Sequence, residues 1–174
     1  MLEVEIKAYC DHPEKILNRI IALGGKEMSR IDERDVYFNH PSRDFAVTDE
    51  ALRIRQANAD LFMTYKGPKI GEKSKTRYER EIPVEDYEGL RDILLRLGFQ
   101  ELLEVRKYRV IYLYKGIDIC MDDVRNLGHF VELEKQGDSK DEIEAELFRL
   151  ADTLGLERFE RRSYLEMLLA LDVS

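Results

Sequence analysis

The sequence predicts an α+β domain in which eight antiparallel strands close into a barrel with helices packed on its outside. Three observations carry this prediction. Strand-like segments alternate charged with apolar residues, two helical stripes each stop at glycine and precede three strands, and the two halves repeat one β-α-β-β-β order. With 174 residues and 44% hydrophobic content, the chain is long enough for one domain with a sizeable core and too short for two. Residues 1–174 are therefore read as a single domain.

The first segment, Leu2-Glu3-Val4-Glu5-Ile6-Lys7-Ala8, alternates strictly, as a strand with two unlike faces must. From Pro13 the spacing changes to Ile16, Leu17, Ile20, Ile21 and Leu23, a helical stripe closed by Gly24-Gly25, which predicts a helix over 13–24. Strands follow at Ile31–Asn39, Ala51–Ala57, Leu61–Gly67 and Thr76–Val84, with a tight turn at Asn58-Ala59-Asp60. A second round begins at Pro83. Its stripe of Tyr87, Leu90, Ile93, Leu94 and Leu97 ends at Gly98, and strands follow near Glu104–Tyr114, Ile117–Asp123 and His129–Lys135. Laid on the first half, this round sets Leu97-Gly98 on Leu23-Gly24 and Arg77, Glu79 and Glu81 on Glu3, Glu5 and Lys7. Helices near 139–154 and 163–171 complete the chain, and Asn39–Asp49 and Gly67–Lys75 read as loops.

Composition narrows the function classes. The net charge of −8 argues against a nucleic-acid duplex or an anionic membrane as partner, because counterion-release binding needs a basic face. No apolar run reaches the roughly 18–20 residues of a bilayer span, and Met1–Glu5 has neither a basic n-region nor an h-region, so a cytoplasmic location is expected. Cys10 and Cys120 lack metal-type spacing and read as reduced thiols in strands. Charged residues make up 37% of the chain against seven Asn and Gln, a balance that points to a thermophilic source.

The informative feature is the charge on one strand face. The alternation collects the acids Glu3, Glu5, Glu79, Glu81, Asp122, Glu132 and Glu134 and the bases Lys7, Arg53, Arg55, Lys66, Arg77, Lys107 and Arg109. An open sheet with its charges in water would give the same alternation. Eight strands suffice to close a barrel, however, and interleaved Glu-x-Glu and Arg-x-Arg then line a tunnel. Burying so many ions for stability alone is a poor strategy, since desolvation costs several kcal/mol per ion. Clustered carboxylates without His or Cys are hard oxygen ligands suited to Mg2+ or Mn2+, and Arg and Lys supply donors for phosphate oxygens. Together they suit a metal–polyphosphate complex.

Glu3-Val4-Glu5-Ile6-Lys7 at the N-terminus is followed in order by Leu52-Arg53-Ile54-Arg55, Thr64-Tyr65-Lys66-Gly67-Pro68, Arg77-Tyr78-Glu79-Arg80-Glu81, Lys107-Tyr108-Arg109, Asp122, the 127–134 segment ending Glu132-Leu133-Glu134, and Ser163-Tyr164-Leu165. This series resembles the CYTH family, the triphosphate tunnel metalloenzymes that include class IV adenylyl cyclases and thiamine triphosphatases. The opening five residues look like that family's ExExK motif, and the resemblance spans nearly the whole chain. It implies a triphosphate tunnel in which Glu3, Glu5 and Glu134 hold a divalent metal, Mg2+ or Mn2+, with Glu132 and Asp122 as further ligands. Glu79 and Glu81 would support the site or serve as tunnel salt-bridge partners. Arg53, Arg55, Lys66, Arg77, Lys107 and Arg109 would bind the triphosphate, and Lys7 would contact phosphate or help activate the nucleophile. Lys7, Glu5 and Arg55 are the expected catalytic residues.

Weaker signals are set aside on physical grounds. Gly67–Ser74 is no P-loop, because Glu72 stands where the second glycine is required and a strand follows in place of a helix. Lys69, Lys73 and Lys75 read as a solvated basic hairpin or as a phosphate contact at a tunnel mouth. His12, His40 and His129 share no ligand spacing, and Glu142, Glu144 and Glu146 read as the solvated face of a helix. The resulting expectation is a triphosphatase acting on inorganic, thiamine or nucleotide triphosphate as a monomer or homodimer. A cyclase converting ATP to cyclic AMP and pyrophosphate, or a non-catalytic polyphosphate-binding module, is the alternative.

Overall fold

The computed structural model describes residues 2–70 and 77–172. Lys73, Lys75 and Thr76, read above as parts of a loop and a strand, lie outside the described residues. In chain order the elements are β1 (Leu2–Tyr9), α1 (Pro13–Ala22), β2 (Lys26–Asn39), α2 (Phe45–Thr48), β3 (Ala51–Ala57), β4 (Asp60–Lys69) and β5 (Arg77–Val84). They continue with α3 (Tyr87–Arg96), β6 (Gln100–Tyr114), β7 (Ile117–Val124), β8 (Gly128–Gly137), α4 (Lys140–Leu154) and α5 (Tyr164–Asp172).

The strands form a closed barrel in the order β1-β5-β4-β3-β2-β6-β7-β8, and all their pairings are antiparallel. Closure rules out the open sheet that alternation alone allowed. Each half runs strand, helix and three-strand meander, and α1 and α3 carry the chain past their first strands. Turn chemistry fits these connections: Lys115 and Gly116, both at positive φ (49° and 74°), make the two-residue turn between β6 and β7.

Three differences from the sequence reading have physical causes. β2 begins at Lys26, before the expected Ile31, because the polar stretch Lys26–Arg30 pairs along β6 at residues 110–113 with one face in water. The expected 39–49 loop contains the single turn α2, started by Asp44, whose carboxylate accepts the Ala46 N–H at 3.0 Å. Glu144 is buried beside Lys140 at 3.7 Å, so the 142–146 run is not wholly a solvated face.

The alternation decides which way each strand faces. Val4, Ile6 and Ala8 point outward with Ile117, Ile119, Val131 and Leu133, and pack under Ile16 and Ile20 of α1 and Leu147, Leu150 and Leu154 of α4. Burying each of these valine, isoleucine and leucine side chains contributes about 1.5–3 kcal/mol. Gly155, at φ 72°, ends α4 where Arg19 Nη1 donates to the Leu154 carbonyl at 2.6 Å; a Cβ there would stand 1.9 Å from that nitrogen. On the opposite side, Leu94 of α3 and Phe45 of α2 cover Val36, Phe38, Leu52 and Ile54. At one rim, Tyr164, Leu165 and Met167 of α5 pack against Tyr37, Val105, Val124 and Phe130. Cys10 and Cys120 are buried thiols without a disulfide, and no helix among the described residues is long and apolar enough to cross a membrane.

Candidate active site

The barrel interior holds a cavity of about 330 Å³. On β1 and β8, the residues facing it are acids. Glu5 lies directly across from Glu134, and Glu5, Glu132 and Glu134 each bring a carboxylate oxygen within 4.8 Å of the other two. Their crowding opposes ionisation. Burial pushes Glu134 up, Arg109 pulls it back, and Glu5, Glu132 and Glu3 push it further, to about 8. Burial and then Glu79 also raise Glu3, partly offset by Lys66. Three converging oxygen ligands with no imidazole or thiolate among them fit Mg2+ or Mn2+, whose charge would relieve this repulsion.

The cations line the opposite arc, from β5 and β4 through β3 to β6. Arg53, Arg55, Lys66, Arg77, Lys107 and Arg109 all face the cavity, as do Glu79 and Glu81. Lys66 Nζ is 2.6 Å from Glu79, and Glu81 accepts the Thr64 hydroxyl at 2.7 Å, so these two acids serve as partners of the β4 side chains. Burial raises Glu79, but Lys66 and Arg53 outweigh it and hold the carboxyl low. Arg109 joins the two walls. Its Nε and Nη2 donate to both oxygens of Asp122 at 2.6 Å, Nη2 also pairs with Glu132, and Nη1 donates to Glu134 at 3.3 Å.

Three expected site residues stand apart from the carboxylate cluster. Glu3 lines the cavity, but the converging triad is Glu5, Glu132 and Glu134. Asp122 is taken up by Arg109 and by the Tyr164 hydroxyl at 2.7 Å, and its geometry is that of an anchor for Arg109. Lys7 points inward but lies behind the cavity wall. Its Nζ donates to the Arg162 carbonyl at 2.5 Å and sits 4.0 Å from the Tyr164 ring centroid.

Sequence reasoning missed Glu33 and Asp35, both buried among the cations. Asp35 pairs with Arg53 and Arg55, and Glu33 with Arg55 and Lys107. Burial pushes Glu33 up, yet Lys107, Arg55 and Arg109 overcome it and hold the carboxyl at about 2. Asp35 is likewise held well below the usual carboxylate range by Arg53 and Arg55 against its burial. Their spacing with Tyr37 was the available signal. Tyr164 was noted only as part of a motif, and burial followed by Glu132 and Asp122 keeps its phenol well above the ordinary range.

A charged barrel with carboxylates on one wall and cations on the other defines a class of protein, and residues 1–164 match the family model for the CYTH domain. This chain belongs to the CYTH family, within the superfamily of triphosphate tunnel metalloenzymes and class IV adenylyl cyclases. Among its relatives, a Methanocaldococcus jannaschii protein named as a candidate adenylate cyclase is 43% identical over 172 residues, covering 96% of this chain and 98% of that one. The Aeromonas hydrophila adenylate cyclase CyaB is 28% identical over 170 residues, covering 93% and 86% of the two chains. A solved Pyrococcus horikoshii protein superposes with a TM-score of 0.90 at 44% identity, covering 97% and 99%.

Proposed function

We propose that this protein is a divalent-metal-dependent triphosphatase. One observation carries the reading: a single cavity sets Glu5, Glu132 and Glu134 on one wall against Arg53, Arg55 and Lys66 on the facing arc. A triphosphate bound between them has its oxygens held by guanidinium and ammonium donors. An ion at the three carboxylates, Mg2+ or Mn2+, would supply charge neutralisation at the phosphate oxygens. Arg109 links the two halves of the site by gripping Asp122, Glu132 and Glu134 while lining the cavity. Water then attacks the terminal phosphorus, the bond to the bridging oxygen breaks, and orthophosphate, keeping one proton of that water, leaves with the diphosphate product while the other proton passes to solvent. Catalysis of this kind is positioning and electrostatic stabilisation. The protein acts in the cytoplasm on a small-molecule triphosphate, as a monomer or homodimer.

A second reading, conversion of ATP to cyclic AMP and pyrophosphate, uses the same charges. It is favoured by the apolar part of the cavity wall, where Tyr37, Phe38, Phe45, Leu102 and Leu165 offer contacts for an organic group, and by the cyclase names of two relatives. Incubation with inorganic triphosphate, thiamine triphosphate and ATP in Mg2+ and in Mn2+, with products separated, decides between them. Orthophosphate release supports hydrolysis. Cyclic AMP with pyrophosphate supports the cyclase, and binding with no turnover throughout identifies a non-catalytic module.

A further inference from the structure

Strand β2 runs between β3 and β6 and carries two acids that the metal cluster does not use. In the register, Asp35 lies directly across from Arg55 and Glu33 directly across from Lys107. Both acids are buried, each with 3% of its surface exposed. Asp35 accepts Nε and Nη2 of Arg55 at 2.7 Å each and Nη1 of Arg53 at 3.2 Å. Glu33 lies 2.8 Å from Nη2 of Arg55 and 3.1 Å from Nζ of Lys107. The three cations line the cavity and the two acids do not, so the acids stand behind the cations. The two strands that flank β2 thus present their positive charge through a shared layer of buried counter-charge on β2.

Such a layer makes little sense as a device for stability, since burying ions is costly even when they are paired. It does make sense in a site that must both hold and release a polyanion. We propose that Asp35 and Glu33 are positioning residues for the triphosphate. They fix Arg53, Arg55 and Lys107 from behind and hold down the net positive charge of that wall, so that product can leave. The proposal rests on the triphosphate reading above.

The two effects of deleting one acid charge oppose each other. Orientation of the cations is loosened, while their attraction for an anion is strengthened. Attraction wins in a poorly screened interior, because phosphate oxygens themselves orient the guanidinium forks once bound. A neutral variant therefore binds more tightly and turns over more slowly.

The test measures Kd for inorganic triphosphate by calorimetry, with and without Mg2+, together with KM and kcat, on the full chain and its Asp35→Asn, Asp35→Glu and Glu33→Gln variants. Asp35→Asn is expected to lower Kd about tenfold and to lower KM and kcat together. Asp35→Glu, which keeps the charge, is expected to stay within about threefold of wild type. Glu33→Gln moves in the same direction as Asp35→Asn and carries the test if that variant does not fold. A merely structural role would reduce the folded fraction and leave the affinity of folded molecules unchanged. Unchanged or weaker binding in the folded neutral variants overturns the inference alone, and absence of triphosphate binding by the wild type overturns both it and the triphosphatase reading.

Discussion

Glu5 on β1 and Glu134 on β8 are direct cross-strand partners, so the barrel register itself holds two carboxylates side by side, with Glu132 as the third. In the absence of a cation this arrangement opposes folding. The Glu134 carboxyl is raised to about 8 in the folded protein, above its ordinary value of 4.5. Its contribution to stability is therefore fully present below pH 4.5 and is lost as pH rises through 8. Glu134→Gln should make the metal-free protein more stable than wild type at pH 8, by on the order of 2 kcal/mol, while removing turnover. Urea unfolding in chelator, paired with an activity assay, checks both halves.

The cation wall behaves in the opposite sense. Glu33 is held at about 2 in the folded protein, below 4.5, so its stability contribution is present above pH 4.5 and is lost as pH falls through 2. Glu33→Gln should be less stable than wild type at pH 7 by about 3 kcal/mol, with the difference vanishing towards pH 2. A pH series of urea unfolding curves on the two proteins measures this convergence.

Cavity cations differ in how removable they are. Arg55→Ala takes from each of the buried acids Asp35 and Glu33 one of its two cationic partners, leaving Arg53 and Lys107, and should cost about 3–5 kcal/mol of stability in addition to lost function. Lys66 pairs with Glu79, and both side chains are partly exposed, so Lys66→Ala should leave the fold nearly intact and weaken triphosphate binding by about 1.5–3 kcal/mol. Thermal unfolding alongside calorimetric titration separates the two outcomes. Equal melting temperatures for both variants would contradict the buried ion-pair layer.

The direction in which β1 faces underlies every site assignment. Val4 is fully buried within the core cluster that includes Leu147 of α4, while Glu3 faces the cavity. Val4→Asp should therefore destabilise the fold strongly, because it drives an unpaired charge into apolar packing, and Glu3→Gln should not. Metal-free melting curves for the pair test this, and equal small shifts would refute the closed barrel.

The legibility of each strand followed its surroundings. β1 was readable because Glu3–Ala8 meets helices on one side and the cavity on the other, which leaves a clean alternation. The segment Ile31-Asp32-Glu33-Arg34-Asp35 carries charge on both faces: Glu33 and Asp35 point inward, while Arg34 pairs outside with Glu104 at 2.5 Å. The period-two contrast disappears there, and the two buried acids disappear with it. Residue types identified a carboxylate-rich site, but which three acids converge depends on barrel shear and side-chain reach. Asp122 shows this, because Arg109 and Tyr164 occupy its oxygens.

The most direct measurement is a crystal structure with Mn2+ and inorganic triphosphate, with manganese located by its anomalous scattering. The expected result is an ion within coordination distance of Glu5, Glu132 and Glu134, and phosphate oxygens against Arg53, Arg55 and Lys66. Manganese bound elsewhere, with the barrel cavity free of phosphate at saturating ligand, would contradict it.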